Sequence, residues 1–193
     1  MVKTVCVYCA ASAKANQVYL SAAEELGKCL SEHNVHCVYG GGHVGLMGSL
    51  ADSMIKYNGK ITGIIPRFML EENWNHKELK NLIVTETMHE RKAKMASMSD
   101  AAIALPGGCG TFEELLEIIT WKQLGLYPKP IIIVNIEGYF NPLIEMLKKA
   151  IEEKFMKTEH AAMWQVVSLP DQVLGAIENE PKWEYDTLNF AVI

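Results

Sequence analysis

The chain lacks the marks of several protein classes. Its start, MVKTVCVYCA, is an apolar run of strand length with neither a membrane-spanning stretch nor a small-residue cleavage site behind it. No signal peptide or membrane partner is therefore expected, and a cytoplasmic location is. An excess of positive charge is missing too. Eighteen Lys and Arg stand against 23 Asp and Glu, a net charge of −5, which argues against nucleic acid as a partner. There is no even set of cysteines. Cys6, Cys9, Cys29, Cys37 and Cys109 make five, and an odd count without a secretion signal excludes a disulfide framework. Cys6 and Cys9 form a C-x-x-C, but an offset of three within a strand sends them to opposite faces. His43, His76 and His89 lack metal-ligand spacing with Cys or acidic residues, so no metal is expected. Internal repeats, low-complexity tracts and linkers are absent. What is left, 49% hydrophobic and 21% charged over 193 residues, suits one globular domain spanning 1–193.

Apolar runs rich in β-branched residues alternate with helical patterns. TVCVYC, HCVYG, KITGII, NLIVTE, AAIALP, KPIIIVN and QVVSL read as strands. Helices are expected near 17–33, 44–58, 88–99, 110–124 and 141–154, with a last one in DQVLGAIENE. This alternation predicts an α/β fold, a doubly wound parallel sheet with helices on both faces. PRFMLEENWNHKELK, residues 66–80, reads as the one long irregular segment. Ligands of such folds bind beyond the carboxyl ends of the strands. Two of those ends are rich in glycine.

The first, YGGGHVGLMG at 39–48, satisfies G-x-G-x-x-G through Gly40, Gly42 and Gly45. It follows the second strand rather than the first. The next strand also ends in Pro66 and Arg67 instead of an acidic residue, so the dinucleotide fingerprint lacks its context. A tight turn with close backbone approach to a ligand is expected. The second, PGGCGT at 106–111, leads into a helix whose first turn is expected near Thr111. Unpaired backbone N–H groups and a positive dipole end gather there. Glycines let the backbone wrap an anion, which makes Gly108, Cys109, Gly110 and Thr111 a candidate phosphate cradle. No G-K-[ST] follows, so it is not a Walker loop.

Two carboxylates follow the cradle. Helical spacing aligns Glu113 with Glu117 on a solvated face, where Glu113 would complement the helix N-terminus. Glu114 aligns with Ile118 and Trp121 and leans back toward the cradle. In TMHERKAKMASMSD, Met88, Met95 and Met98 mark an apolar stripe, and Arg91 falls on it with Lys92 beside it. A cation on an inward stripe needs an anionic partner. Cys109 sits at a helix N-terminus, but no supporting His–acid pair is evident. It reads as a spacer rather than a nucleophile.

MHERKAKM, LPGGCGTFEELLEIITWKQLG, YGGGHVGLMG and the IPR before the long loop together resemble the LOG ("Lonely guy") family of cytokinin riboside 5′-monophosphate phosphoribohydrolases. The resemblance runs from residue 2 to about 180. It implies a Rossmann-like fold, a homodimer, no cofactor, and hydrolysis of the N-glycosidic bond of adenosine-type 5′-monophosphates (AMP or N6-substituted AMP) to free base and ribose 5-phosphate. By position, Arg91 and Glu114 match the family's catalytic pair. Lys92, the run Gly108, Cys109, Gly110, Thr111 to Glu113, and Thr120 match its substrate-binding residues. Two departures stand out. The first strand ends in CAAS rather than C-G-S-S, and a substrate-binding glutamate of the long loop falls at Asn73, beside Glu71 and Glu72. Family members are often labelled lysine decarboxylases, yet no pyridoxal-phosphate lysine setting is recognisable. The alternative reading is a non-catalytic nucleotide-binding module on the same fold.

Overall fold

The computed structural model describes residues 2–180. Seven parallel strands form one sheet: β1 (Thr4–Tyr8), β2 (His36–Tyr39), β3 (Ile61–Pro66), β4 (Leu82–Thr85), β5 (Ala101–Ala104), β6 (Ile131–Val134) and β7 (Gln165–Val167). Their order is β4-β3-β2-β1-β5-β6-β7, with every neighbouring pair parallel. The chain winds outward from β1 to one edge, crosses back, and winds outward from β5 to the other. Each expected strand is realised; the third, expected at 60–65, is shifted by one residue, and the others are trimmed by a residue or more.

The central strands are buried on both sides, as continuous apolar runs in a parallel sheet require. Val5, Val7, Cys37, Tyr39, Ile103 and Ile132 face one layer. That layer holds α1 (Gln17–Glu32), α2 (Gly45–Lys56) and α7 (Val173–Glu178). The alternate residues Cys6, Tyr8, Val38, Ile64, Ala102 and Ile133 face the other. There lie α4 (Met88–Ser97), α5 (Cys109–Gln123) and α6 (Asn141–Glu152). Cys6 and Cys9 fall in opposite layers, both free and buried. Burial pushes both thiols well above their ordinary range. No helix of the described residues is long and apolar enough to cross a membrane.

Segment 66–80 is less irregular than its sequence suggests. It opens with the short helix α3 (Arg67–Glu71), for which Pro66 is the N-cap. It then returns to the first glycine loop through an antiparallel bridge between Gly42 and Asn75. The His76 amide donates to the Gly41 carbonyl at 2.9 Å, and the buried His76 ring bonds Asp52 at 2.9 Å. Backbone pairing needs no side-chain periodicity, so the sequence gives little sign of it.

Gly45 begins α2 at φ +63°, and a Cβ there would sit 2.5 Å from the Ser12 carbonyl oxygen. The turns after β1 and β2 are thus pressed backbone to backbone. Gly45→Ala combines a disfavoured φ with a backbone clash, and should cost about 2–4 kcal/mol. Urea unfolding checks this. A midpoint unchanged from the parent would mean that the two turns do not pack as described.

Candidate active site

The site lies where the strand order reverses, between the carboxyl ends of β1 and β5. Ligands of open α/β sheets bind at this switch point, because the loops leaving the two strands diverge and open a crevice. The Leu105 amide donates to the Tyr8 carbonyl at 2.9 Å and the Ala10 amide to the Pro106 carbonyl at 3.2 Å. The second glycine loop is thereby stitched to the end of β1. α5 starts at Cys109 with Gly108 as N-cap, two residues earlier than the expected Thr111. The first amide bond of the helix runs from Phe112 to the Gly108 carbonyl, 3.0 Å. The N–H groups of Gly108, Cys109, Gly110 and Thr111 find no acceptor among the described residues.

The three glycines of the loop do different work. At Gly107 a Cβ would meet the Thr111 hydroxyl at 2.0 Å, so glycine is required by packing. At Gly108 and Gly110 a Cβ would meet nothing within 4 Å. Both positions are therefore open at residues whose amides are free, a combination that suits an anion cradle. Thr111 is buried beneath the loop and Cys109 is exposed at its rim.

Arg91 enters from α4. That helix is capped by Thr87, whose hydroxyl accepts from the Glu90 amide at 3.1 Å. The guanidinium is 5% exposed. Its Nε donates to the Ile64 carbonyl at 3.0 Å and its Nη2 to the Gly40 carbonyl at 3.2 Å. It therefore hangs from the ends of β3 and β2. A Cβ on Gly40 would lie 2.0 Å from that Nη2. The first glycine loop makes a close approach, and at Gly40 it is made to Arg91.

Glu114 is 6% exposed. Its Oε1 accepts one long bond from Arg91 Nη1, 3.4 Å, and its Oε2 has no donor among the described residues. Two effects compete at this carboxyl. Burial disfavours the anion and Arg91 favours it. Burial wins, and the pKa is pushed up to about 7. The proximity of the guanidinium does not restore an ordinary carboxylate.

One assignment changes in the structure. Glu113, expected to complement the helix N-terminus, stands in the second turn because α5 begins early. Its carboxylate instead bonds the Lys92 ammonium, as does Glu117 at 3.0 Å. Lys92 is buried, and burial works against its charge. The two carboxylates outweigh that penalty and hold the ammonium above its ordinary pKa. Its Nζ is thus engaged with two carboxylates of α5. Thr120 lies 11 residues beyond Cys109, about 16 Å down the helix axis. Its exposed hydroxyl donates to the Leu116 carbonyl at 2.8 Å. One copy of the chain does not bring Thr120 to the cradle.

A family model described as possible lysine decarboxylase matches residues 47–177. The cytokinin riboside 5′-monophosphate phosphoribohydrolase LOG1 of Arabidopsis thaliana is 43% identical over 168 residues, 87% of this chain and 78% of its own. LOG2 of the same plant is 40% identical over 178 residues, 91% and 83% of the two chains. The chain belongs to the LOG family. A solved structure, the molybdenum cofactor carrier protein of Chlamydomonas reinhardtii, superposes with a TM-score of 0.71. It is 20% identical and the match covers 92% of this chain and 96% of that one. At that identity it supports the fold alone.

Within the LOG frame, Arg91 meets Glu114 on the helix that the run Gly108 to Thr111 begins. Gly40, Ile64 and Tyr139 also shape the site, and sequence reading passed over their roles. Tyr139 follows Gly138 after β6, and its hydroxyl donates to the Gly107 carbonyl. A glycine–aromatic pair just past a strand's carboxyl end was the available signal. Gly110→Ala tests the cradle against simple packing. The helix should be as stable or slightly more so, while affinity for AMP, a phosphate-bearing probe, should fall at least tenfold as the methyl group fills the anion's place. Melting temperature and titration calorimetry measure the two. Unchanged AMP affinity would refute the cradle.

Proposed function

We propose that the protein hydrolyses the N-glycosidic bond of cytokinin riboside 5′-monophosphates and, more broadly, of adenosine-type 5′-monophosphates. Relatives more than 40% identical are named for the cytokinin reaction, and the site contains groups suited to it. One observation carries the reading. Glu114 is a buried carboxyl with an unpartnered oxygen, set one helical turn from an open row of backbone donors.

In this reading the 5′-phosphate sits on the amides of Gly108 to Thr111, where the helix dipole and N–H groups favour a dianion. That anchors the ribose over Glu114 and supplies binding energy remote from the bond that breaks. The bond from C1′ to the base nitrogen then cleaves, leaving positive charge on the ribosyl ring. The Glu114 anion stabilises that charge and orients a water. The water oxygen bonds C1′ while its proton passes to the departing base. The products are free base and ribose 5-phosphate. Arg91 holds ribose or phosphate oxygens from the opposite wall and lowers the cost of ionising Glu114. Cys109 supplies backbone.

Lys92, the lysine beside Glu113 and Glu117, is unsuited to forming an imine. An imine-forming lysine must give up its proton, and Lys92 is held protonated by two carboxylates. We further propose a cytoplasmic homodimer, without nucleic acid or membrane partners. Thr120 would then serve a ligand only across the two copies.

Purified protein incubated with AMP and with N6-isopentenyl-AMP should release free base, followed by chromatography. Binding of both without release would favour a non-catalytic nucleotide-binding module. Glu114→Gln should lower turnover about a hundredfold or more, as loss of a key electrostatic or acid–base group does. Glu113→Gln should cost far less, because its carboxylate serves Lys92. If Glu113→Gln is the inactive variant, the catalytic assignment moves to the other face of α5.

The pH dependence follows from Glu114. Its pKa in the free protein is about 7 and the working form is the anion. The active fraction therefore grows as pH rises. A plot of kcat/KM should climb through pH 7 and level off above it, falling about tenfold per unit on the acid side. A decline above pH 7 instead would make Glu114 a proton donor.

A further inference from the structure

The turn after β6 is elaborately built for a short connection. Glu137 and Gly138 take consecutive left-handed conformations, φ +51° and +70°. A non-glycine residue adopts that region only at a cost in energy. Asn135 fixes the turn from inside. Its Oδ1 accepts from the Phe140 amide at 2.7 Å, and its Nδ2 donates to Asn141 Oδ1 at 2.8 Å. The result is that Tyr139 lies over the second glycine loop. Its ring meets Tyr19 edge-on at 5.5 Å, stacks with Phe112 at 6.4 Å and meets Phe140 edge-on at 5.2 Å. Its hydroxyl donates to the Gly107 carbonyl at 2.5 Å. Burial, with Tyr19 and Cys109 adding to it, holds the phenol above its ordinary pKa, so it stays a donor at neutral pH.

The Gly107 carbonyl and the Gly108 amide belong to one trans peptide, and in a trans peptide the C=O and N–H point in opposite directions. A bond that holds the carbonyl toward Tyr139 therefore holds the Gly108 N–H away from it, on the side of the open cradle. A peptide flanked by two glycines is also the easiest kind to rotate, since neither side carries a Cβ. Rotation would aim the carbonyl dipole at the phosphate and turn attraction into repulsion.

We propose that Tyr139 is a positioning residue for the phosphate cradle: its hydroxyl locks the Gly107–Gly108 peptide with the Gly108 N–H facing the ligand. This rests on the reading of the cradle as the 5′-phosphate site. Tyr139 acts through the peptide and does not touch the reacting bond. Its signature is a loss in phosphate affinity with turnover at saturation preserved.

Tyr139→Phe removes the hydroxyl and keeps the ring contacts. AMP affinity by titration calorimetry should weaken about three- to tenfold, the worth of one net hydrogen bond. Inorganic phosphate, measured by displacement of AMP, should weaken by a similar factor. Where base release is observed, KM should rise and kcat should hold. Unchanged AMP affinity overturns the inference. So does a lower melting temperature with affinity intact, which marks packing only. Weakened AMP binding with unchanged phosphate binding overturns it as well, because the effect then lies at the nucleoside. If the parent protein binds AMP without hydrolysing it, the catalytic reading fails while the affinity ratio still decides the role of Tyr139. If the parent binds neither ligand, the cradle and this inference fall together.

Discussion

A guanidinium buried under the ends of two strands sets the terms for everything around it. The Arg91 guanidinium carries five N–H donors and no acceptor, so the fold must meet its hydrogen-bonding needs. Parallel strands end in carbonyls with no further partner, and Arg91 uses two of them, at Ile64 and Gly40. That choice forces glycine at position 40, because the guanidinium occupies the space of a side chain. It also commits two of its nitrogens to the backbone. Only Nη1 remains to meet Glu114, at a distance where the bond is weak. The carboxyl is therefore buried without full compensation, and its pKa rises. Removing charges from water costs several kcal/mol per ion unless the geometry is excellent. Here the geometry is left short, and both groups retain capacity for a ligand.

Three carboxylates within five residues would repel one another on an unsupported helix. α4 resolves this by packing Lys92 against α5. Successive residues of a helix are turned by about 100°, so Glu113 and Glu117 share a face that Glu114 does not. The shared face closes on the Lys92 ammonium. The neighbouring face carries Glu114 inward to Arg91. Two adjacent cations on α4 thus meet two adjacent faces of α5, and the pairing fixes the register between the helices. Glu113 and Glu117 still push the Glu114 pKa upward and Lys92 pulls it down. The clamp therefore tunes the buried carboxyl as well as holding it.

The parallel sheet, its strands, the glycine loop leading into α5 and the need of Arg91 for an anionic partner were legible in the sequence. Each rests on a local signal: an apolar run, a glycine cluster before a helix, a cation on an apolar stripe. The errors share one cause. Periodicity shows which residues share a face but not which faces meet. Lys92 finds Glu113 across 21 residues of chain, and nothing local in either segment announces it. The helix start at Cys109 was placed late, because Gly108 and Gly110 read as loop residues while the backbone had already turned helical. The pairing of residues 75–76 with the first glycine loop is backbone to backbone, a contact on which side-chain patterns are silent.

The two glycine loops look alike as text and differ in kind as structure. The difference is what occupies the place of the missing side chain. In the first loop, Gly40 is filled by Arg91, Gly42 by the Met47 side chain, Gly45 by the Ser12 backbone and, just beyond the pattern, Gly48 by the His43 carbonyl. Those glycines are accounted for inside the protein, so the G-x-G-x-x-G pattern there reports on packing. In the second loop, Gly107 is filled by Thr111, while Gly108 and Gly110 face open space. Neither of these two has a positive φ to demand glycine. Glycine within a helix costs up to about 1 kcal/mol against alanine, and the fold offers Gly110 no return for it. In the proposed reading the return comes from outside the chain, from a ligand that lies against the bare backbone and uses its N–H groups. A phosphate meets both conditions, and in the proposed function the carboxyl of Glu114 one turn away acts on the sugar attached to it.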